Sequence, residues 1–515
     1  MKSSSPSFPR RTVLKGGAAL LLTGCGLRGG ASTSVGGGDP YINDDAHALA
    51  ARVRDREVTA RELLDLVIAR IEGLEGELNA MTTRCFERAR DRALRGVGSG
   101  PFAGVPFLIK DMIDCAGVRR TDGANAFFTR TPTRSPALMM ALENAGLNVV
   151  GVTNVPEFAT LPTTVNERFG ATLNPWDVTR TPAGSSGGSA VSVAAGYVPL
   201  AHATDGAGSI RLPASYCGVF GFKPSRHRTV SGEADGKHDL IKHHHAISRS
   251  VRDSAGVLAI TEDRSSTARY ASVGFVRRER EGGALRRPLR VGLDLNGLAA
   301  IGNDEDVLAA MASTVGLLEG LGHEVIEMPR IPLDPTQTWE RVEDVFLSRL
   351  PPMIGMIEGA TGKDYRDVGV LSPFALSFAA TAEGRDAKAM LSESVAYFER
   401  CEQVWESWAS GVDVVLSPVQ PTGPPPVDLF SVESSWEAES ESMRAFMNFT
   451  AMANITGAPA MSVPLHWTEE GWPIGSQFMA LPGRDRELLE LAYQLESARP
   501  WRGRWAPISV ARLRT

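Results

Sequence analysis

Apolar positions recur along this chain with two different periods. Leu63, Leu64, Val67, Ile68 and Ile71 fall on one helical face, and Thr59 with Glu62 ahead of them makes a capping-box pattern. Residues 43 to 96 accordingly predict two helices. Val105-Pro-Phe-Leu-Ile109 is instead a short, wholly apolar run of strand type ending at Lys110-Asp111. A helix over 135 to 146, stopped by Gly146, and a strand from Asn148 to Thr153 follow. Ala190 to Ala195 is an apolar helical run with Gly196 placed to end it. Leu289 to Leu293 and Val412 to Leu416 predict further buried strands, and 305 to 321 and 387 to 409 further helices. Charged, glycine-bearing Arg277 to Arg287 predicts a solvated loop, and Pro421 with Pro424-Pro425-Pro426 excludes a helix interior there. Strands alternating with helices point to an α/β architecture. With no internal repeat or linker inside 41 to 515, that stretch reads as one large domain.

The N-terminal segment follows a different pattern. Arg10-Arg11 precede an apolar run, Ala18 to Leu22, and then Thr23-Gly24-Cys25. A twin-arginine pair, a short apolar segment and a small-residue processing site predict an export signal over 1–24. The run is too short to span a bilayer, which takes about 20 residues. Leu22-Thr23-Gly24-Cys25 resembles a lipobox, so Cys25 is the expected lipidation site and a periplasmic or cell-envelope location the expected one. The alternative is a soluble exported protein whose Cys25 is discarded with the signal. Residues 25–40, rich in Gly, Ser and Ala, read as a flexible tether.

Composition narrows the partners. A formal net charge of −6 gives no electrostatic basis for binding nucleic acid or an anionic membrane surface. Membrane contact is therefore expected only through the lipid, and oligomeric state is left open. Cys85, Cys115, Cys217 and Cys401 are too few for a disulfide scaffold over this length. Cys217, in an apolar stretch, reads as free and buried.

Candidate chemistry lies in three segments: Gly104-Val-Pro-Phe-Leu-Ile-Lys110-Asp111, Gly184-Ser185-Ser186-Gly187-Gly188-Ser189, and Asp205-Gly206-Ala207-Gly208-Ser209-Ile210-Arg211. The second has the composition of a linker, yet it opens a buried helix, where backbone N–H groups face a ligand. Gly206-Ala207-Gly208 lets several N–H groups converge beside Ser209, as an oxyanion hole requires. Ser209 reads either as a nucleophile or as a cap for the segment that follows. Its base is not evident among the histidines, since His202 and His227 lack a recognisable orienting partner. Lys110, ending a buried strand, is the better candidate because burial favours the neutral amine. The alternative is a lysine held by its neighbour Asp111. His238 and His243-His244-His245 read as a solvated loop rather than a metal site.

In this order and spacing the three segments resemble the amidase signature family. Gly151-Val-Thr-Asn-Val-Pro-Glu-Phe158, Asn174-Pro-Trp-Asp177, Cys217-Gly-Val-Phe-Gly-Phe-Lys223-Pro224, Ser248-Arg-Ser-Val-Arg-Asp253 and the stretch from Asn448 to Trp501 extend the likeness over 41 to 505. The resemblance implies an α/β/α fold around a central mixed β-sheet, and a Ser–cis-Ser–Lys triad. It places the lysine at Lys110, the bridging serine at Ser185 after a cis Gly184–Ser185 peptide, and the nucleophile at Ser209. Gly206, Ala207, Gly208 and Ser209 supply the oxyanion hole, Ser186 fixes its loop, and Asp205 and Arg211 hold the nucleophile loop. The loop departs from the common Asp-Thr-Gly-Gly-Ser at Gly206 and Ala207, a variant similar to the branch with nylon-oligomer cyclic-dimer hydrolases.

The implied function is hydrolysis of a small carboxamide or secondary amide through an acyl-enzyme, with no cofactor and no metal. An esterase using the same triad, or an exported binding lipoprotein without catalysis, are the alternatives. The family's tRNA-dependent amidotransferase subunits fit poorly with export. Nothing in 225 to 245 or 330 to 400 reads as a pocket for a particular substrate group.

Overall fold

The computed structural model describes residues 39–277, 285 and 287–514. The export motif with Cys25, the tether to residue 38 and most of the Arg277–Arg287 stretch lie outside the described residues. Residues Pro40–Thr515 form one compact unit.

The N-terminal part holds α1 (Ala46–Arg54), α2 (Ala60–Leu78), a short strand β1 (Met81–Arg84) and α3 (Phe86–Arg95). The expected two helices are thus three with a strand among them. Thr59 caps α2 with the full reciprocal capping box to Glu62. Next come β2 (Pro106–Lys110), α4 (Ala137–Asn144) and β3 (Asn148–Thr153), then α5 (Gly187–Ala194), β4 (Leu200–Asp205) and α6 (Arg211–Cys217). β5 (Phe220–Lys223), β6 (His243–Ser248) and α7 (Val251–Thr261) close this half.

The second half runs β7 (Arg290–Leu293), α8 (Glu305–Gly320), β8 (Glu324–Glu327), α9 (Pro335–Leu347) and α10 (Leu350–Thr361). It continues through α11 (Pro373–Ala380), α12 (Ala387–Trp408), β9 (Val414–Pro418), α13 (Trp436–Phe446) and α14 (Ala451–Ile455). β10 (Ala460–Trp467), β11 (Pro473–Met479) and α15 (Asp485–Ala498) complete it.

The strands form a single mixed sheet in the order β1-β3-β2-β4-β6-β5-β10-β11-β9-β7-β8. β3-β2-β4 and β9-β7-β8 are parallel, and the strands between them are antiparallel. Alternate side chains serve opposite faces. Leu108, Val150, Ala201 and Ile247 pack with α2, α5 and α6, while Phe107, Ile109, Val149, Leu200 and Ala246 pack with α1, α4 and α7. Both faces being covered, β2 is buried along its whole length and reads as an unbroken apolar run.

One expectation fails here. His243-His244-His245 is not a solvated loop but the start of β6, a central strand with every residue buried. Its imidazoles are tied inside the protein: His243 Nδ1 lies 2.7 Å from the Ile241 carbonyl and His245 Nε2 lies 2.9 Å from Ser254 Oγ. His238 does stay exposed. The four cysteines are free, with Cys115, Cys217 and Cys401 buried and Cys85 half-buried.

Candidate active site

Lys110 is the last residue of β2 and is wholly buried. Its Nζ meets three hydroxyls: Ser185 Oγ at 2.7 Å, Ser186 Oγ at 2.8 Å and Thr204 Oγ1 at 2.8 Å. Asp111 does not pair with it. That carboxylate turns to Thr121 N–H at 2.8 Å, to the Thr121 hydroxyl and to Thr82 Oγ1 at 3.1 Å. Burial holds the Lys110 amine well below its ordinary value; Asp205 works against this and the Lys242 ammonium works with it. A neutral amine has two N–H donors and one lone pair. Ser186 gives its own proton to the Thr204 carbonyl at 3.1 Å, so it accepts from Lys110. The lone pair is then left for Ser185 or Thr204.

Ser185 and Ser186 stand where the chain enters α5. Far from being a linker, the Gly184–Ser189 segment is entirely buried, and the Gly184–Ser185 peptide is cis. A side chain at Gly184 would run into the Thr163 carbonyl at 2.2 Å, and one at Gly188 into Asn154 backbone at 2.6 Å. Glycine is what lets this loop press against its neighbours.

The Asp205–Arg211 loop hangs from one carboxylate. Asp205 accepts from Arg211 Nε and Nη2, both at 2.9 Å, from Gly208 N–H at 2.8 Å, from Ile210 N–H at 3.2 Å and from Asn454 Nδ2 at 2.9 Å. Arg211 also reaches Gln477 Oε1 and Asn454 Oδ1, each at 2.7 Å. Both charged side chains are fully buried, so they hold the loop rather than face solvent. Asp205 is kept ionised below the usual carboxylate range: burial opposes this, and Arg211 overcomes it.

Two readings of this loop need correction. Ser209 does not cap α6, whose N-cap position is Ile210 and carries no side-chain cap. Gly208 N–H is committed to Asp205, which removes it from the set of oxyanion donors expected at Gly206, Ala207, Gly208 and Ser209. The N–H groups of Gly206, Ala207 and Ser209 have no protein acceptor among the described residues. The hydrogen bonds from Lys110 stop at Ser185; among the described residues none joins Ser185 to Ser209, although both line one cavity.

This arrangement can be set beside known proteins. The sequence model of the family described as Amidase matches residues 62–489. The 6-aminohexanoate-cyclic-dimer hydrolase of Paenarthrobacter ureafaciens is 33% identical over 484 residues, covering 89% of this chain and 95% of that protein. The chain belongs to the amidase signature family. Putative amidase AmiB2 of Mycobacterium tuberculosis strain H37Rv is 34% identical over 472 residues, covering 90% of this chain and 98% of that protein. A solved 6-aminohexanoate cyclic dimer hydrolase complexed with substrate superposes with a TM-score of 0.81 at 29% identity, over 91% of this chain and 99% of that one. The protein is accordingly an amidohydrolase on a mixed-sheet α/β fold.

In this amidase the cavity reaches from Ser185, Thr204, Gly206, Ala207 and Ser209 to elements far along the chain. Five aromatic side chains line it: Phe158, Trp339, Phe346, Phe378 and Trp436. Three of them fall in 330 to 400 and Lys242 in 225 to 245, both regions where no pocket was expected. The signal was present: Trp339, Val342, Glu343 and Phe346 share one face of α9 at helical spacing. Thr204, third hydroxyl at Lys110, also went unseen in the plain string Leu200-Ala-His-Ala-Thr-Asp205.

His202 proves to be partnered, by backbone and by a second histidine. His202 Nδ1 accepts from the Lys110 backbone N–H at 3.4 Å, which leaves its Nε2–H to donate to His244 Nδ1 at 3.1 Å. His244 Nε2 then donates to Glu233 at 2.8 Å. Burial pushes His202 well below its ordinary value, and it is absent from the cavity wall. A buried, neutral histidine turned to backbone supports β2 from behind.

Proposed function

We propose that this amidase cleaves a carboxamide or secondary amide through an acyl-enzyme on Ser209, with Ser185 as proton relay and Lys110 as base. Ser209 gives its proton to Ser185 as its oxygen attacks the carbonyl carbon, and Ser185 passes its own to the Lys110 lone pair. Negative charge gathering on the carbonyl oxygen is met by the N–H groups of Gly206, Ala207 and Ser209. One such donor is worth roughly 3–4 kcal/mol to a transition state. When the tetrahedral species collapses, the C–N bond breaks and the Lys110 proton returns through Ser185 to the departing nitrogen. Water then repeats the sequence on the acyl group, releasing the acid and restoring Ser209.

The observation that carries this reading is the state of Lys110: buried, free of any carboxylate partner, and 2.7 Å from Ser185 Oγ. Burial lowers this amine's pKa and so favours its neutral form, which has a lone pair to take a proton. The relatives named as cyclic-dimer hydrolases support a secondary amide as the substrate type. The test is turnover of a panel of primary, anilide and secondary amides by wild type, Ser209→Ala and Ser185→Ala. Both variants should stay folded, with Ser209→Ala inactive and Ser185→Ala reduced by roughly 10²-fold or more. Near-native rates in both would exclude the assignment.

We further propose that the enzyme works outside the cytoplasm, exported by the signal around Arg10-Arg11 and anchored by lipid on Cys25. Support comes from the motif Leu22-Thr23-Gly24-Cys25 and the glycine-rich stretch behind it.

A further inference from the structure

Beyond its polar catalytic end the cavity wall is largely aromatic and aliphatic, with its charged side chains held in pairs. Its far walls are α9, presenting Trp339, Val342, Glu343 and Phe346, and α13, presenting Trp436, Met443 and Arg444. The wall bears four charged side chains: Lys242, Glu343, Arg349 and Arg444. Each is already paired. Lys242 Nζ lies 2.7 Å from Glu233, and Arg349 Nη2 lies 2.9 Å from Asp239; neither carboxylate is on the cavity wall. Arg444 grips Glu343 with both tines of its fork, Nε at 2.7 Å and Nη2 at 2.8 Å, which joins α13 to α9 across the cleft.

A charge entering this space meets aromatic and thioether surface and no unengaged counter-ion. Burying an unpaired charge is strongly unfavourable, whereas aromatic and aliphatic groups gain contact area. We infer that the α9–α13 cleft receives a neutral aromatic or long-alkyl portion of the amide substrate, and that the Glu343–Arg444 pair sets this preference by denying a partner to charge of either sign. This rests on the Ser209 reading for the position of the scissile carbonyl. It goes further in naming what flanks that carbonyl and which residues select it. Burial raises the Glu343 carboxyl and Arg444 counters it, so Glu343 depends on Arg444 to remain charged.

The pair therefore specifies a reciprocal test. Three 4-nitroanilides of equal acyl length are compared: one ending in a phenyl or methyl group, one in a carboxylate and one in an ammonium. Wild type should favour the neutral substrate in kcat/KM by roughly thirtyfold or more over each charged one. Glu343→Gln releases Arg444 and should raise the carboxylate-to-neutral ratio by about tenfold, while Arg444→Gln should raise the ammonium-to-neutral ratio similarly. A purely structural role would lower all three substrates in proportion and leave both ratios unmoved. Binding of the same compounds to Ser209→Ala, read by quenching of Trp339 and Trp436 fluorescence, needs no turnover. Selective binding of the neutral compound without hydrolysis by wild type would defeat the Ser209 reading and leave this inference standing. Equal binding or turnover of charged and neutral compounds by proteins with unreplaced Glu343 and Arg444, or unmoved ratios in both folded variants, would overturn it.

Discussion

Gly208 shows how tightly single residues are constrained around Ser209. Its φ is +135°, in the region that side chains rarely adopt, and a Cβ there would meet Thr450 Oγ1 at 2.3 Å. A Cβ at Gly206, two residues earlier, would meet only the Phe346 ring, no closer than 3.5 Å, an ordinary contact. Gly208→Ala should therefore cost about 2 kcal/mol of stability and most of the activity, whereas Gly206→Ala should be tolerated on both counts. Thermal unfolding and kcat/KM of the two variants check this. At this scale the sequence was legible in that the separate strings bearing Lys110, Ser185 and Ser209 meet at one place, Lys110 beside Ser185 and Ser185 in one cavity with Ser209. It was not legible where a donor must choose between two acceptors. That Gly208 N–H serves Asp205 is a matter of loop geometry, which the string Gly206-Ala-Gly-Ser209 leaves open.

Elements were legible when burial matched composition. β2, β3, β7 and β9 are apolar runs in a sheet covered on both faces. β6 escaped because its histidines are polar yet buried, each with at least one ring nitrogen held by a neighbour: His243 by the Ile241 carbonyl, His244 by His202 and His245 by Ser254. β1 escaped because four residues with two threonines, at a sheet edge, carry almost no pattern. Between elements, Glu157 joins the segment bearing Phe158 to the N-cap Ser372 of α11, accepting from its hydroxyl and from its N–H at 3.3 Å. Burial pushes this carboxyl up from 4.5 to about 7. A carboxyl raised on folding binds more protons in the native state than when unfolded, so it lowers stability as pH rises from about 4.5 to about 7. The loss is on the order of 3 kcal/mol. Glu157→Gln, which keeps a hydrogen bond without the charge, should flatten the pH dependence of Tm across that window. An unchanged slope would show that another group sets it.

For the whole molecule, sequence pattern conveyed the layered α/β plan but not the cavity. The site draws on β2, β4, α9, α11 and α13, spread far along the chain, and only folding brings their faces together. Among the described residues no helix is long and apolar enough to cross a membrane. Replacing Arg10-Arg11 by Lys-Lys should leave the enzyme in the cytoplasm, and Cys25→Ser should abolish incorporation of labelled lipid while preserving activity. Fractionation with lipid labelling tests both. Wild-type protein found unprocessed in the cytoplasm would contradict the export proposal.

The central claim is that a neutral Lys110 is the base, and the pH profile of kcat/KM measures it most directly. Burial lowers the pKa of this amine, so it is neutral above that lowered value and protonated below it. Wild-type kcat/KM should rise with pH through the lowered value and then level. Lys110→Ala should lose that acid limb together with most of the rate, and Lys110→Arg should not restore either, since a guanidinium stays charged. An active Lys110→Ala enzyme with the acid limb of wild type would contradict the account.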